Sequence, residues 1–177
     1  MTNDKIHKSS EFEIRRFRKS DCESLVQNIN NKKIYDMTSR IPYPYTYKMA
    51  IDWIDYNLKL YGEEKNQEIN FVIDIGGDLI GSIGFFNIVE GTAEIAYWLA
   101  EKYWNKGIMS KVLKIVIDHG FNTLGLNEIV AKVFTFNKSS IKILKKTNFV
   151  EFKILYKNVQ KDGKKFDEYI FKLKKIQ

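Results

Sequence analysis

The sequence predicts a mixed α/β domain with a mostly antiparallel central sheet of about seven strands flanked by about four helices. Three observations carry this. Runs of strand periodicity and runs of helical periodicity follow one another in the order β-α-α-β-β-β-α-β-α-β-β. Ile69–Ile75 and Leu79–Phe86 are separated only by Gly76-Gly77-Asp78, the composition of a hairpin turn. The stretch Lys106–Asn122 is apolar around most of a helical wheel, leaving Ser110, Lys111, Lys114, Asp118 and Asn122 as a polar stripe, so it must pack closely on a sheet.

Phe12–Phe17 alternates as a first strand. Ser20-Asp21 then caps a helix whose Leu25, Val26 and Ile29 share one side. Ile41–Tyr45 holds both prolines of the chain and cannot be helix interior. Thr46 begins a second helix with Ile51, Ile54 and Leu58 at helical spacing, closed by Gly62. After the hairpin, Thr92–Ala100 adds a third antiparallel strand. Glu128–Phe134 is a further strand, and Asn137 caps a short helix with Ile141 and Leu144 inward. Asn148 stands where a helix ends in the left-handed conformation. Phe149–Tyr156 and Lys165–Leu173 form a last pair across Lys161-Asp162-Gly163. No repeat, linker or low-complexity tract divides the chain, so 1–177 reads as one domain with 1–10 as a flexible tail.

With 44% hydrophobic and 14% aromatic residues, 177 residues can bury a sizeable core. No apolar run approaches the roughly 18 residues of a membrane span. Met1–Ser10 lacks the apolar centre of a secretory signal. The single cysteine, Cys22, allows no internal disulfide. A cytoplasmic setting with no membrane partner is expected. The formal charge is +7, and thirteen Lys stand against four acids between Lys132 and Lys175. An acidic partner is therefore open: nucleic acid, ribosome or a polyphosphate cofactor. That stretch contains no Arg, the usual reader of base edges, which disfavours nucleic acid; a solvated Lys-rich surface is the plainer account. His7 and His119 have no metal-ligand spacing, so no metal is expected.

The functional signal lies in Tyr103–Leu113, Tyr-Trp-Asn-Lys-Gly-Ile-Met-Ser-Lys-Val-Leu. A strand breaks here into a turn around Gly107 and runs straight into a helix. Unpaired N–H groups and the positive end of the helix dipole then suit a phosphate. The preceding strand carries one carboxylate, Glu94, inside an apolar alternation. An anion cradle beside a carboxylate suggests a nucleotide-type cofactor and proton transfer. Read without function, the same residues are a Gly turn and an ion-paired Glu.

The element order, together with Ile41–Thr46, Ala93–Ser110 and Asn137–Phe149, resembles the GNAT superfamily of N-acyltransferases in its RimJ/RimL branch. The likeness spans Phe12 to Leu173. The superfamily's phosphate loop, Gln/Arg-x-x-Gly-x-Gly/Ala, falls on Trp104, Gly107 and Met109, keeping only the central Gly, and Asn148 replaces a Gly before Phe149. The resemblance implies acetyl-CoA as co-substrate and direct attack by a primary amine, without a covalent enzyme intermediate. It gives the pyrophosphate to the N–H groups of Lys106, Gly107, Ile108, Met109 and Ser110. The pantetheine arm goes to Trp98, Leu99 and Ala100, with the Leu99 N–H on the thioester carbonyl, and Asn137 is a further cofactor contact. Glu94 is implied as general base and Ser140 as the acid for the departing thiolate. Tyr43 and Tyr45, with Tyr47 beside them, shape the acceptor cleft. Ribosomal protein N-termini, polyamines, antibiotics and free amino acids are all acceptors within the superfamily, and a homodimer is compatible with it.

Deprotonating a Lys ε-amine of pKa about 10.4 at pH 7 costs roughly 4 to 5 kcal/mol, an α-amine of pKa near 8 only about 1 kcal/mol. A single carboxylate working through water suits the second. An α-amine, on a protein N-terminus or a small molecule, is the expected acceptor. Two other classes stay open: a non-catalytic CoA-binding or regulatory module, and a ribosome- or RNA-binding protein using the Lys-rich C-terminal half.

Overall fold

A computed structural model describes residues 5–61 and 67–176. In chain order its elements are β1 (Lys5–Lys8), β2 (Glu13–Arg15), α1 (Cys22–Ile29), α2 (Lys32–Met37), α3 (Tyr47–Leu60), β3 (Ile69–Ile75), β4 (Asp78–Val89), β5 (Thr92–Leu99), α4 (Ile108–Asn122), β6 (Glu128–Phe134), α5 (Lys138–Lys146), β7 (Val150–Lys161) and β8 (Lys164–Lys174). One sheet runs β1-β2-β3-β4-β5-β6-β8-β7. Every neighbouring pair is antiparallel except β5 and β6, which are parallel.

Two elements exceed the expected seven strands and four helices. Residues 5–8, expected to belong to a flexible tail, form an edge strand on β2, held by Lys5 and Lys8 to Glu13 at 2.7 and 3.2 Å. Charge pairing across the edge does there what apolar alternation does elsewhere, so periodicity alone misses it. The other addition is α2, too short to show a period. Asn31 starts it by accepting a hydrogen bond from Lys33 N–H at 2.8 Å, and only Ile34 is buried. Thr46 caps α3 through Met49 N–H as expected, while the Gly62 stop lies outside the described residues.

Each face of the sheet carries its own apolar layer. Val112, Leu113 and Val116 of α4 and Leu144 of α5 pack with Ile73, Ile83, Phe85 and Ile129 on one face. Leu25, Ile29, Ile34, Ala50 and Ile54 of α1–α3 pack with Val72 and Leu79 on the other. α4 lies so close that a Cβ on its Gly120 would come within 2.6 Å of the Phe85 ring. Asn148 has φ +65 after α5, the left-handed stop expected of it.

β5 and β6 pair only at Thr92–Glu128, Ala93–Ile129 and Glu94–Val130. Beyond that point β5 continues to Leu99 and β6 to Phe134 without pairing, so the sheet splits into a V. The N-terminal arm is braced by Arg15, 1% exposed. Its guanidinium grips Asp21 through two bonds of 2.7 and 2.9 Å and Asp74 through Nε at 2.8 Å. Asp21 also accepts from Arg18 N–H and Asp74 from Gly77 N–H, so one cation ties β2, the turn before α1 and the β3–β4 hairpin.

Arg15→Ala would strand two buried carboxylates and should cost about 3–5 kcal/mol in denaturant unfolding. His119 on α4 meets the edge of Phe71, 5.6 Å between centroids, and burial lowers its pKa from the ordinary 6.5. The unfolded chain therefore binds this proton more readily than the folded one. The neutral ring's contribution is intact above the unfolded value and is lost as pH falls below about 6.5. Melting temperatures between pH 7 and pH 5 should drop, and His119→Phe should flatten that slope.

Candidate active site

A cleft of about 1520 Å³ runs through the V and opens on both faces of the sheet. The α4 side is lined by Tyr103, Trp104, Asn105, Gly107–Ser110 and the first turn of α5. The other side is lined by the end of α2, Arg40, Tyr45, Phe86, Glu94, Lys132, Phe134 and Glu168.

The turn before α4 is built for exposed amides. Asn105 and Gly107 both adopt left-handed backbone, φ +60 and +75, and Gly107 is the residue before the first helical turn. The N–H groups of Ile108, Met109 and Ser110 have no intrahelical acceptor and point out of the helix end. A Cβ on Gly107 would touch nothing within 4 Å, so the space over the turn is open. The Met109 side chain is buried in the core, away from that space. Lys106 does not line the cleft, and its ammonium lies 5.4 Å from the Tyr103 ring centre.

The free edge of β5 leads to this turn. Ala100 N–H donates to Ile80 C=O at 2.8 Å, so the amide expected to meet the pantetheine is already used within the sheet. In an antiparallel ladder the bonding direction alternates, which turns the main-chain groups of Leu99 and Tyr97 away from β4 and into the V. Trp98 faces β4 with its main chain but lines the cleft with its ring. The Leu99 carbonyl is taken by the Trp104 indole N–H at 2.7 Å, which leaves the Leu99 N–H facing the cleft. Residues 97 and 99, not 98 and 100, present the open edge.

At the closed end of the V sits Glu94, its side chain 11% exposed. Arg40 bonds one of its oxygens at 2.8 Å and Lys132 the other at 2.7 Å. The ion-paired reading of Glu94 is thus realised; each oxygen still keeps a second lone pair for water. Ser140 lies on α5 with its hydroxyl 2.7 Å from the Tyr97 hydroxyl. Burial pushes the Tyr97 phenol up to about 12, so it stays protonated across the physiological range. The side chain of Asn137 accepts from Ser140 N–H at 3.1 Å and donates to Met37 C=O at 3.3 Å, capping α5 and tying it to α2.

Tyr45 is buried and lines the cleft, whereas Tyr43 is 45% exposed, packs on Tyr35 at 5.7 Å and is no part of the cleft wall. Tyr47 is exposed on α3. Three further features have no signal in the sequence. Tyr97 shares an apolar strand with nothing to mark its hydroxyl partner. A strap crosses the cleft from the β7–β8 turn to α2: Lys161 donates to Tyr35 C=O and to Thr38 C=O at 2.7 Å, and Tyr35 donates to Asp162 at 2.6 Å. Glu168 is buried although it sits in a Lys-rich strand. Among the described residues no group of three His, Cys, Asp or Glu could hold a metal, and no helix is long and apolar enough to cross a membrane.

A family model described as an acetyltransferase (GNAT) domain matches residues 11–150. The N-acetyltransferase p20 of Bacillus licheniformis is 30% identical over 165 residues, 92% of each chain. Among solved structures, the ribosomal-protein-S5-alanine acetyltransferase of Vibrio fischeri superposes with a TM-score of 0.85 at 20% identity over 95% of each chain. RimL, the ribosomal L7/L12 α-N-protein acetyltransferase in complex with coenzyme A, gives 0.87 at 20% identity over 96% of this chain and 97% of its own.

Gly107→Ala meets no obstacle but must hold a left-handed φ. It should cost about 1 kcal/mol in unfolding free energy, measured in denaturant, with no loss of core packing.

Proposed function

This chain belongs to the GNAT acetyltransferase family, and we propose that it transfers the acetyl group of acetyl-CoA to an α-amine, on a protein N-terminus or a small molecule. One observation carries the reading. The unpaired edge of β5 runs directly into the amide-rich start of α4, so one continuous surface offers strand pairing to an amide-bearing arm and N–H donors to a diphosphate. Acetyl-CoA supplies an activated acyl group on such an arm. Its diphosphate suits Gly107 and the amides of Ile108, Met109 and Ser110. Tyr97 and Leu99 suit the arm, with the Leu99 N–H available to a thioester oxygen.

The chemistry needs an N–C bond formed, the C–S bond broken, one proton removed from the amine and one delivered to the thiolate. Ser140 is the donor of the second proton, aligned by the Tyr97 hydroxyl. Glu94 takes the first through a water on its spare lone pairs, while Arg40 and Lys132 hold the carboxylate in place. The two structural relatives, both ribosomal-protein acetyltransferases and one of them an α-N-protein acetyltransferase, support the α-amine over a Lys side chain. So does the smaller deprotonation cost of an α-amine.

The RNA-binding alternative loses its footing on charge placement. Lys132, Lys145 and Lys172 pair with Glu94, Glu151 and Glu128, and Lys161 is tucked against α2. Lys138, Lys142 and Lys146 border the cleft beside α5, where a polyphosphate fits better than an extended strand.

Ser140→Ala and Glu94→Gln should each lower kcat by roughly 10²-fold or more with alanyl peptides, read by free-thiol release, and leave coenzyme A affinity within twofold of wild type. A protein that binds coenzyme A without turnover on any amine would leave only the non-catalytic reading.

A further inference from the structure

Three acidic side chains are buried among the described residues: Asp21, Asp74 and Glu168. The first two share Arg15. Glu168 is 4% exposed and makes its hydrogen bond to Asn158 Nδ2 at 2.8 Å, a neutral donor. Among the described residues no cation is paired with it. Lys132 on β6 and Lys153 on β7 both pair across the ladder with Ile170, two residues from Glu168 on the same face of the sheet, and the Lys153 ammonium lies 5.8 Å from the Phe152 ring centre. That diagonal is within reach of a lysine. Yet the Lys132 ammonium bonds Glu94 instead, at 2.7 Å.

A carboxylate withdrawn from water without a counter-ion is costly, and a Gln there would satisfy Asn158 equally well. Glu168 also has a direction. It lines the acceptor side of the cleft, opposite Phe134 in the ladder. Phe134 stacks on Phe136 at 5.1 Å, and both rings line the same wall. A lone carboxylate beside aromatic rings is the chemistry of a site for an organic ammonium.

We propose that Glu168 is the ammonium-binding residue of the acceptor site. It receives the amine in its protonated, charged form. Acetylation converts that nitrogen into a neutral amide, so the same carboxylate that draws in the substrate has no hold on the product. The assignment deepens the acetyltransferase reading and rests on it for the identity of the cleft. It defines the acceptor class as cationic amines and sets Glu168 apart from Glu94, which is neutralised in place.

The test uses the full chain saturated with coenzyme A, titrated calorimetrically with alaninamide, spermidine and N-acetylalaninamide. Wild type should bind at least one of the two amines at least tenfold more tightly than the neutral amide. Glu168→Gln, which keeps the shape and the Asn158 partner, should abolish that preference. It should also raise the KM of the bound amine at least tenfold while leaving the acetyl-CoA KM and the coenzyme A affinity unchanged. The variant's melting temperature should equal or exceed that of wild type, since an unpaired buried charge is removed. The proposal is overturned if Glu168→Gln leaves the amine preference intact, if it weakens coenzyme A or melts early, or if wild type binds neither amine. Absence of thiol release from wild type would count against the acetyltransferase reading alone, because loss of amine binding in Glu168→Gln is measured without turnover.

Discussion

Three paired residues followed by divergence set the character of this molecule. β5 and β6 share a ladder at residues 92–94 and 128–130, then separate. A strand interior that loses its neighbour leaves main-chain groups unpaired, and a buried, unpaired N–H or C=O is expensive. The indole of Trp104 settles one of them, the Leu99 carbonyl. The others face the cleft, where only water or a bound molecule with its own amides can meet them. The opening is thus a break in the sheet that leaves edge groups of β5 facing a cleft.

The rest of the fold keeps that opening in shape. Either side of the V the sheet is continuous and covered, by α1–α3 on one face and by α4 and α5 on the other. The Arg15 network fixes the N-terminal arm, and Glu94 with Lys132 staples the two strands where they part. On the far side the β7–β8 turn reaches over to α2 through Lys161 and Asp162. Asn137 joins the same helix to α5. The side of the cleft away from α4 therefore has a roof made of elements far apart in sequence, and the α4 side is left to open amides.

The charges in the cleft divide by function. Near the closed end Glu94 is balanced by two cations, which makes it a fixed feature of the wall. Further out Glu168 has a neutral partner and, among the described residues, no counter-ion. On the opposite side the amides of α4 and Lys138, Lys142 and Lys146 present positive potential. On the reading proposed above, the diphosphate of acetyl-CoA and a cationic acceptor suit opposite mouths of one passage.

The class of fold, the order of its long elements, the hairpin at Gly76-Gly77, the cap at Asn137 and the left-handed stop at Asn148 are written in the sequence, because each depends on residues within a few positions of one another. The turn before α4 belongs here too: Gly107 between a strand and an apolar helix is a local statement about backbone, and its φ of +75 agrees with it. What needed tertiary structure is everything set by partners far along the chain. β1 exists because Lys5 and Lys8 find Glu13, and α2 because the C-terminal hairpin and Asn137 receive it. Which amides of β5 are free was settled by Ala100 bonding to Ile80, which keeps Leu99 open, closes Trp98 and Ala100, and opens Tyr97. Tyr43 faces out because Tyr35 is there to meet it. Glu168 looks like one more charge in a basic strand until the ladder buries it beside Phe134. Local backbone preference is encoded over a turn or a strand, whereas burial and charge pairing are decided only when distant segments meet.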